Sequence, residues 1–167
     1  LGDRGVSAAW DGTNLYVNRG NYGNSFYRYN GLSWSTLTSP PATLGVGSAM
    51  IASGSAIFAL RGERTASFYR YDISGNSWTT KANTPEGIYR GSGLVKAGDY
   101  IYALQGYNSV GFFRYNETEN SWTRMASLPV GSYYGGGITY DGNDYIYALV
   151  GGSTDIYSRQ FYRYSIS

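Results

Sequence analysis

The chain has 167 residues, 42% of them apolar and 14% charged, which is enough to bury a core and too apolar for a disordered segment. Its formal charge of +2 comes from 13 basic and 11 acidic residues scattered singly, with no stripe able to neutralise phosphates, so nucleic acid is excluded as an expected partner. Without cysteine or histidine the chain cannot supply a thiolate nucleophile, a Cys or His zinc or copper site, or a Ser-His-Asp triad, and neither an enzyme activity nor a cofactor is expected.

From the amino terminus, a small-residue run Ser7-Ala8-Ala9 leads to an Asp11-Gly12 turn and an apolar segment ending in glycine, Leu15-Tyr16-Val17-Asn18-Arg19-Gly20. An aromatic block, Phe26-Tyr27-Arg28-Tyr29, and a tryptophan segment, Leu32-Ser33-Trp34-Ser35, complete the unit. The order then returns with Gly47-Ser48-Ala49, Ser53-Gly54, Ile57 to Gly62, Phe68-Tyr69-Arg70-Tyr71 and Asn76-Ser77-Trp78-Thr79. A third pass holds Gly91-Ser92-Gly93, Ala97-Gly98, Ile101 to Gly106, Phe112-Phe113-Arg114-Tyr115 and Asn120-Ser121-Trp122-Thr123. The fourth holds Gly135-Gly136-Gly137, Asp141-Gly142, Ile146 to Gly151 and Phe161-Tyr162-Arg163-Tyr164, and the sequence stops at Ser167 before a tryptophan segment is reached.

Each period thus offers four short strands, a to d, and none shows helical periodicity. The Gly-containing turns between a and b suit hairpins that need positive φ. Strand b is apolar on both faces, as a strand between two neighbouring sheets must be, and strand a is small because something crowds it. Four-stranded antiparallel sheets stacked around an axis, strand a innermost and strand d outermost, satisfy all of these features. The expected fold is an all-β propeller occupying residues 1–167 as one unit, with blades at about 1–42, 43–86, 87–130 and 131–167, the fourth lacking its outer strand. Tyr16, Phe58, Tyr102 and Tyr147 should fill equivalent buried places. No apolar run reaches the roughly 18 residues a bilayer span needs, so no membrane span is expected.

The apolar strand ending in Gly, the aromatic strand Tyr69-Arg70-Tyr71-Asp72, then Asn76-Ser77-Trp78-Thr79 and Pro85 resemble kelch repeats, although the double glycine stands only at Gly151-Gly152. The resemblance covers the whole chain. It implies a larger ring than four blades, so the chain is expected to self-associate or to form part of a longer propeller chain. A copper oxidase shares that fold class, but its His ligands and Cys-crosslinked Tyr have no counterpart here.

Several features have structural readings. Arg28, Arg70, Arg114 and Arg163 recur at one strand position and should stack on aromatic neighbours, and Trp34, Trp78 and Trp122 should pack between blades. Asp72 to Trp78 approximates the Asp-box turn of sialidases, and Asp141, Asn143 and Asp144 read as a turn rather than a calcium site. Function should sit where the repeats disagree. Loops of a meander alternate between faces, so the b-to-c and d-to-a loops share one face. That face carries the candidate ligand-binding residues Arg61, Arg64, Tyr89, Arg90, Tyr107, Tyr133, Tyr134 and Tyr157, a Tyr and Arg mixture typical of recognition surfaces. The expected function is non-catalytic binding of a protein or glycan, in a secreted or cell-surface setting. The alternatives are a self-assembling surface or filament component and a fragment of a sialidase- or glycosidase-like enzyme.

Overall fold

Short segments rich in Tyr, Phe, Val and Ile, separated by Gly turns, favour pleated hairpins over helices, and the computed structural model, which describes residues 5–20, 23–152 and 160–167, is built from them alone. Blade 1 comprises β1 (Ser7–Trp10), β2 (Leu15–Asn18), β3 (Phe26–Tyr29) and β4 (Trp34–Leu37). Blade 2 comprises β5 (Ala49–Ser53), β6 (Ala56–Leu60), β7 (Phe68–Asp72) and β8 (Ser77–Lys81). Blade 3 comprises β9 (Gly93–Ala97), β10 (Tyr100–Leu104), β11 (Phe112–Asn116) and β12 (Ser121–Arg124). Blade 4 has three strands, β13 (Gly137–Tyr140), β14 (Tyr145–Leu149) and β15 (Phe161–Ser165). Every blade is an antiparallel meander in sequence order, and the four form a β-propeller arrangement with β1, β5, β9 and β13 side by side at the inside. No helix among the described residues is long and apolar enough to cross a membrane.

One register repeats in all four sheets: Tyr16 faces Arg28, Phe58 faces Arg70, Tyr102 faces Arg114 and Tyr147 faces Arg163. Because side chains alternate with period two, that shared register sends the same set of residues to the same face of every blade. The core therefore lies between blades. Phe58, Leu60 and Phe68 of blade 2 bury against Leu94, Ile101 and Tyr115 of blade 3. The same packing joins blade 1 to blade 2 through Tyr16, Phe26, Ile57 and Tyr71, and blade 3 to blade 4 through Tyr102, Phe112 and Ile146. Trp78 and Trp122 wedge into these interfaces edge-on to Phe26 and Phe68, at 5.1 and 4.9 Å. Their indole N–H groups donate to the Thr38 and Ala82 carbonyls.

Two expectations need correction. Tyr16, Phe58 and Tyr102 are buried as expected, but Tyr147 is only half-buried, because among the described residues nothing packs on its face of blade 4. The tryptophan segments begin as turns: Asn76 and Asn120 have φ of 45° and 50°, and pairing starts one residue later. The small-residue runs also have a more specific cause than crowding of strand a alone. A Cβ on Gly91, whose φ is 77°, would stand 1.6 Å from the Tyr133 carbonyl oxygen, and one on Gly47 would stand 2.3 Å from that of Tyr89. These glycines let the loop entering the next blade lie directly on the preceding one.

Candidate functional site

The b-to-c loop of blade 2 passes through Gly62, Glu63 and Arg64 at φ of 74°, 54° and 59°, and that of blade 3 through Gly106, Tyr107 and Asn108 at 75°, 59° and 58°. Consecutive left-handed residues other than glycine cost conformational energy and persist only where surrounding bonds impose them. Here the bonds come from the adjacent d-to-a loops. The Glu63 and Arg64 amides donate to the Val46 and Ile88 carbonyls, and those of Tyr107 and Asn108 donate to Arg90 and Ser132, at 2.7 to 2.9 Å. Short bridges pair Thr65 with Ile88, Ser109 with Ser132 and Tyr134 with Gly152. The two loop sets therefore form one knitted face, as alternation along the meander requires.

On this face the guanidinium of Arg64 lies over the rings of Tyr89 and Tyr107, at 5.0 and 4.4 Å. The guanidinium of Arg90 lies over Tyr89 and Tyr134, each at 4.9 Å, and donates to the Tyr134 hydroxyl. Tyr89 meets Tyr107 edge-on at 5.2 Å, and Tyr133 meets Tyr134 edge-on at 4.4 Å. Six of the eight residues singled out from sequence, Arg64, Tyr89, Arg90, Tyr107, Tyr133 and Tyr134, thus stand in one continuous ridge. Arg61 does not join it: the residue is half-buried at the root of its loop, with Nε enclosed. Tyr157 lies outside the described residues. Among the described residues no carboxylate is within ion-pair distance of Arg64 or Arg90.

The nearby carboxylates are engaged elsewhere. Glu63 accepts from the Val46 amide at 2.7 Å, and Glu86 pairs with Arg124, which also lies over Phe113. Thr65, Ser109 and Ser132 anchor the ridge, yet a search for differences between blades passes over Thr65 and Ser109 because they occupy matching positions. Their signal is similarity.

The remaining polar features are structural. Arg114 and Arg163 stack over Tyr100 and Tyr145 at 4.4 and 4.2 Å, whereas Arg70, whose counterpart partner is Ala56, pairs with Asp72 at 3.4 Å. The Gly75 amide and the Ser74 hydroxyl bond to Asp72 and hold its carboxyl below the ordinary value of 3.8. Asp141 is lowered likewise, chiefly by the Asn143 amide, with Tyr145 donating as well, which makes it the hinge of a turn. The opposite face holds a polar hollow of about 440 Å³ beside Lys96 and Glu117, which pair at 3.2 Å.

Four antiparallel blades around one axis, with arginines and tyrosines on the knitted loop face, define a β-propeller. No protein-family model matches the chain, and no curated protein is significantly similar to it in sequence. Similarity to solved structures is extensive, and one of them, the structure of YjhT, superposes with a TM-score of 0.73 at 12% identity over 100% of this chain and 67% of that one. At that identity the likeness establishes the fold alone.

Proposed function

We propose that the chain is a non-catalytic recognition module that binds an acidic glycan or an acidic peptide segment through the ridge of Arg64, Tyr89, Arg90, Tyr107, Tyr133 and Tyr134. The observation that carries this reading is the pair of guanidinium groups held between tyrosine rings with no carboxylate partner among the described residues. A stacked guanidinium can still offer N–H groups to a carboxylate or sulfate, those of Arg64 and the ones of Arg90 not given to the Tyr134 hydroxyl, and the tyrosine edges add contact area at small entropic cost. The engagement of Glu63 and Glu86 supports binding over acid–base chemistry, which needs a free pair of carboxylates. The kelch-like repeat pattern and a secreted or cell-surface setting belong to the same reading.

Screening against acidic glycans and acidic peptides, with Arg90→Ala plus Tyr134→Ala as the probe, tests it. Binding should fall at least tenfold, an effect of about 1.4 kcal/mol, and weaken with added salt. Melting should move by only a few degrees. Glu117→Ala with Asn143→Ala, on the opposite face, should leave binding intact. A ligand whose contacts map to the Lys96–Glu117 hollow would show this reading to be wrong.

A second reading is self-assembly. Leu149 and Phe161, on the outer face of blade 4, are 48% and 62% exposed, and Trp34 on the outer face of blade 1 is 56% exposed. Apolar faces of this kind favour association with a copy or with further blades. Light scattering should show a particle heavier than one chain that reverts to a monomer in Leu149→Ser plus Phe161→Ser. A monomer before substitution removes the second reading.

A further inference from the structure

Blades 2 and 3 each seat a tryptophan strand in the same way. In blade 2, β8 pairs along β7 with Trp78 opposite Tyr71. The Trp78 ring lies 5.1 Å from both Phe26 and Tyr71, and Asn76 Oδ1 accepts from the Thr38 amide at 2.9 Å and from the Tyr71 hydroxyl at 2.8 Å. In blade 3 the Trp122 ring lies 4.9 Å from Phe68 and 5.0 Å from Tyr115, with Asn120 Oδ1 accepting from the Ala82 amide at 3.0 Å and the Tyr115 hydroxyl at 2.8 Å.

Blade 4 carries the same seat beside β15. Phe112 and Tyr164 meet edge-on at 5.1 Å and 70°, close to the 4.9 Å and 75° of Phe68 and Tyr115. Ala126 stands in the repeat position of Thr38 and Ala82. A groove of about 230 Å³ opens between them, floored by Ile146 and Ala148 and walled by Leu128 and Tyr162. Among the described residues no strand pairs with the outer edge of β15, and neither the Tyr164 hydroxyl nor the Ala126 amide has a hydrogen-bond partner.

We propose that this groove is an acceptor site for an extended strand of the pattern Asn-x-Trp-Thr. The strand pairs antiparallel with β15 and places its Trp opposite Tyr164. Its indole enters the groove and donates to the Ala126 carbonyl, and its Asn carbonyl accepts from the Ala126 amide and the Tyr164 hydroxyl. Main-chain pairing supplies affinity and the indole pocket supplies selection, the usual division in strand addition to a sheet edge. The site is separate from the arginine–tyrosine ridge and stands whether or not that ridge binds a ligand.

The test is titration of the ¹⁵N-labelled chain with the peptide Gly-Asn-Ser-Trp-Thr-Thr-Lys-Ala, which copies residues 75–82. Saturable shifts should appear at Phe112, Ala126 to Leu128 and Tyr162 to Ser165. Replacing the peptide Trp by Ala should weaken binding at least tenfold, since buried tryptophan anchors carry much of the energy of such contacts. Replacing the peptide Asn by Ala should weaken binding to the wild-type chain and weaken it less in Tyr164→Phe, where its hydroxyl partner is already gone. Absence of saturable shifts, equal affinity for the Trp and Ala peptides, shifts centred on the ridge, or full additivity of the Asn and Tyr164 changes would each overturn the proposal.

Discussion

Blades 3 and 4 share the strands Tyr-Ile-Tyr-Ala-Leu and nearly the same aromatic strand, yet their outer faces differ completely. Leu104 and Phe112 are 0% and 5% exposed, while their counterparts Leu149 and Phe161 are largely open. The chemistry is constant and the neighbour is not: blade 4 packs on blade 3, whereas among the described residues nothing packs on the corresponding face of blade 4. A repeat of this kind cannot cover its own apolar face, so burial and stability belong to the junction between two repeats.

The strongest way to break this comparison is truncation on either side of it. Leu104→Ala should cost about 2–5 kcal/mol through the cavity left in a closed interface, whereas Leu149→Ala should cost under about 1 kcal/mol. Equal losses in urea unfolding would mean that blade 4 is covered in solution. Trp122→Ala and Trp34→Ala form a matching pair. The first removes a wedge and its bond to Ala82 and should cost about 3–5 kcal/mol, and the second leaves a surface site and should cost about 1 kcal/mol or less.

Gly91→Ala sharpens the comparison at the junction of blades 3 and 4. It forces a side chain onto the Tyr133 backbone at a left-handed position, so a loss of about 1–3 kcal/mol is expected, with a displaced Tyr133 resonance. Gly142→Ala, where no atom lies near the added Cβ, should cost about 1 kcal/mol or less.

The pH dependence gives the smallest and broadest effect. Burial pushes the Tyr16 and Tyr115 phenols up to about 12, with the Asp11 and Glu117 carboxylates adding to the shift. Both ionise near 10 when unfolded, so their contribution is complete below pH 10 and is lost as pH rises toward 12. Asp72 and Asp141, held below 3.8, give the opposite limb, with stability present above that value and lost as pH falls through their folded values. Replacing Tyr115 by Phe should flatten the alkaline limb of a melting-temperature profile, and Asp72→Asn the acid limb.

Much of the fold was legible because it is written four times. The Phe-Tyr-Arg-Tyr blocks, the Gly turns and the Trp segments carry a period-two pattern whose register is forced once one face is apolar, and among the described residues the strands follow the expected order, although β5, β9 and β13 begin only at the last residue of their small-residue runs. The candidate face was legible for a related reason. Loops of a meander alternate between faces, so residues that vary between repeats at one end of the strands were bound to gather there. Arg61 is half-buried at the root of its loop and stands apart from the stacked residues, because sequence position fixes the loop but not whether a side chain turns into the junction.

The sequence by itself determined the strands, their order, the shared register and the face on which Arg64, Tyr89, Arg90, Tyr107, Tyr133 and Tyr134 emerge, since these follow from local propensity and the alternation of side chains. Only the tertiary structure decided that the two guanidinium groups are held between tyrosine rings, that Gly47 and Gly91 exist to admit the next loop, and that Tyr147 and Phe161 are left uncovered. The contacts of Arg64 with Tyr107, of Arg90 with Tyr134, and of Gly47 and Gly91 with the loops beside them join residues more than forty positions apart, and the exposure of Phe161 depends likewise on what packs on its sheet, so all are set by how one sheet packs on the next and not by any local preference of the chain.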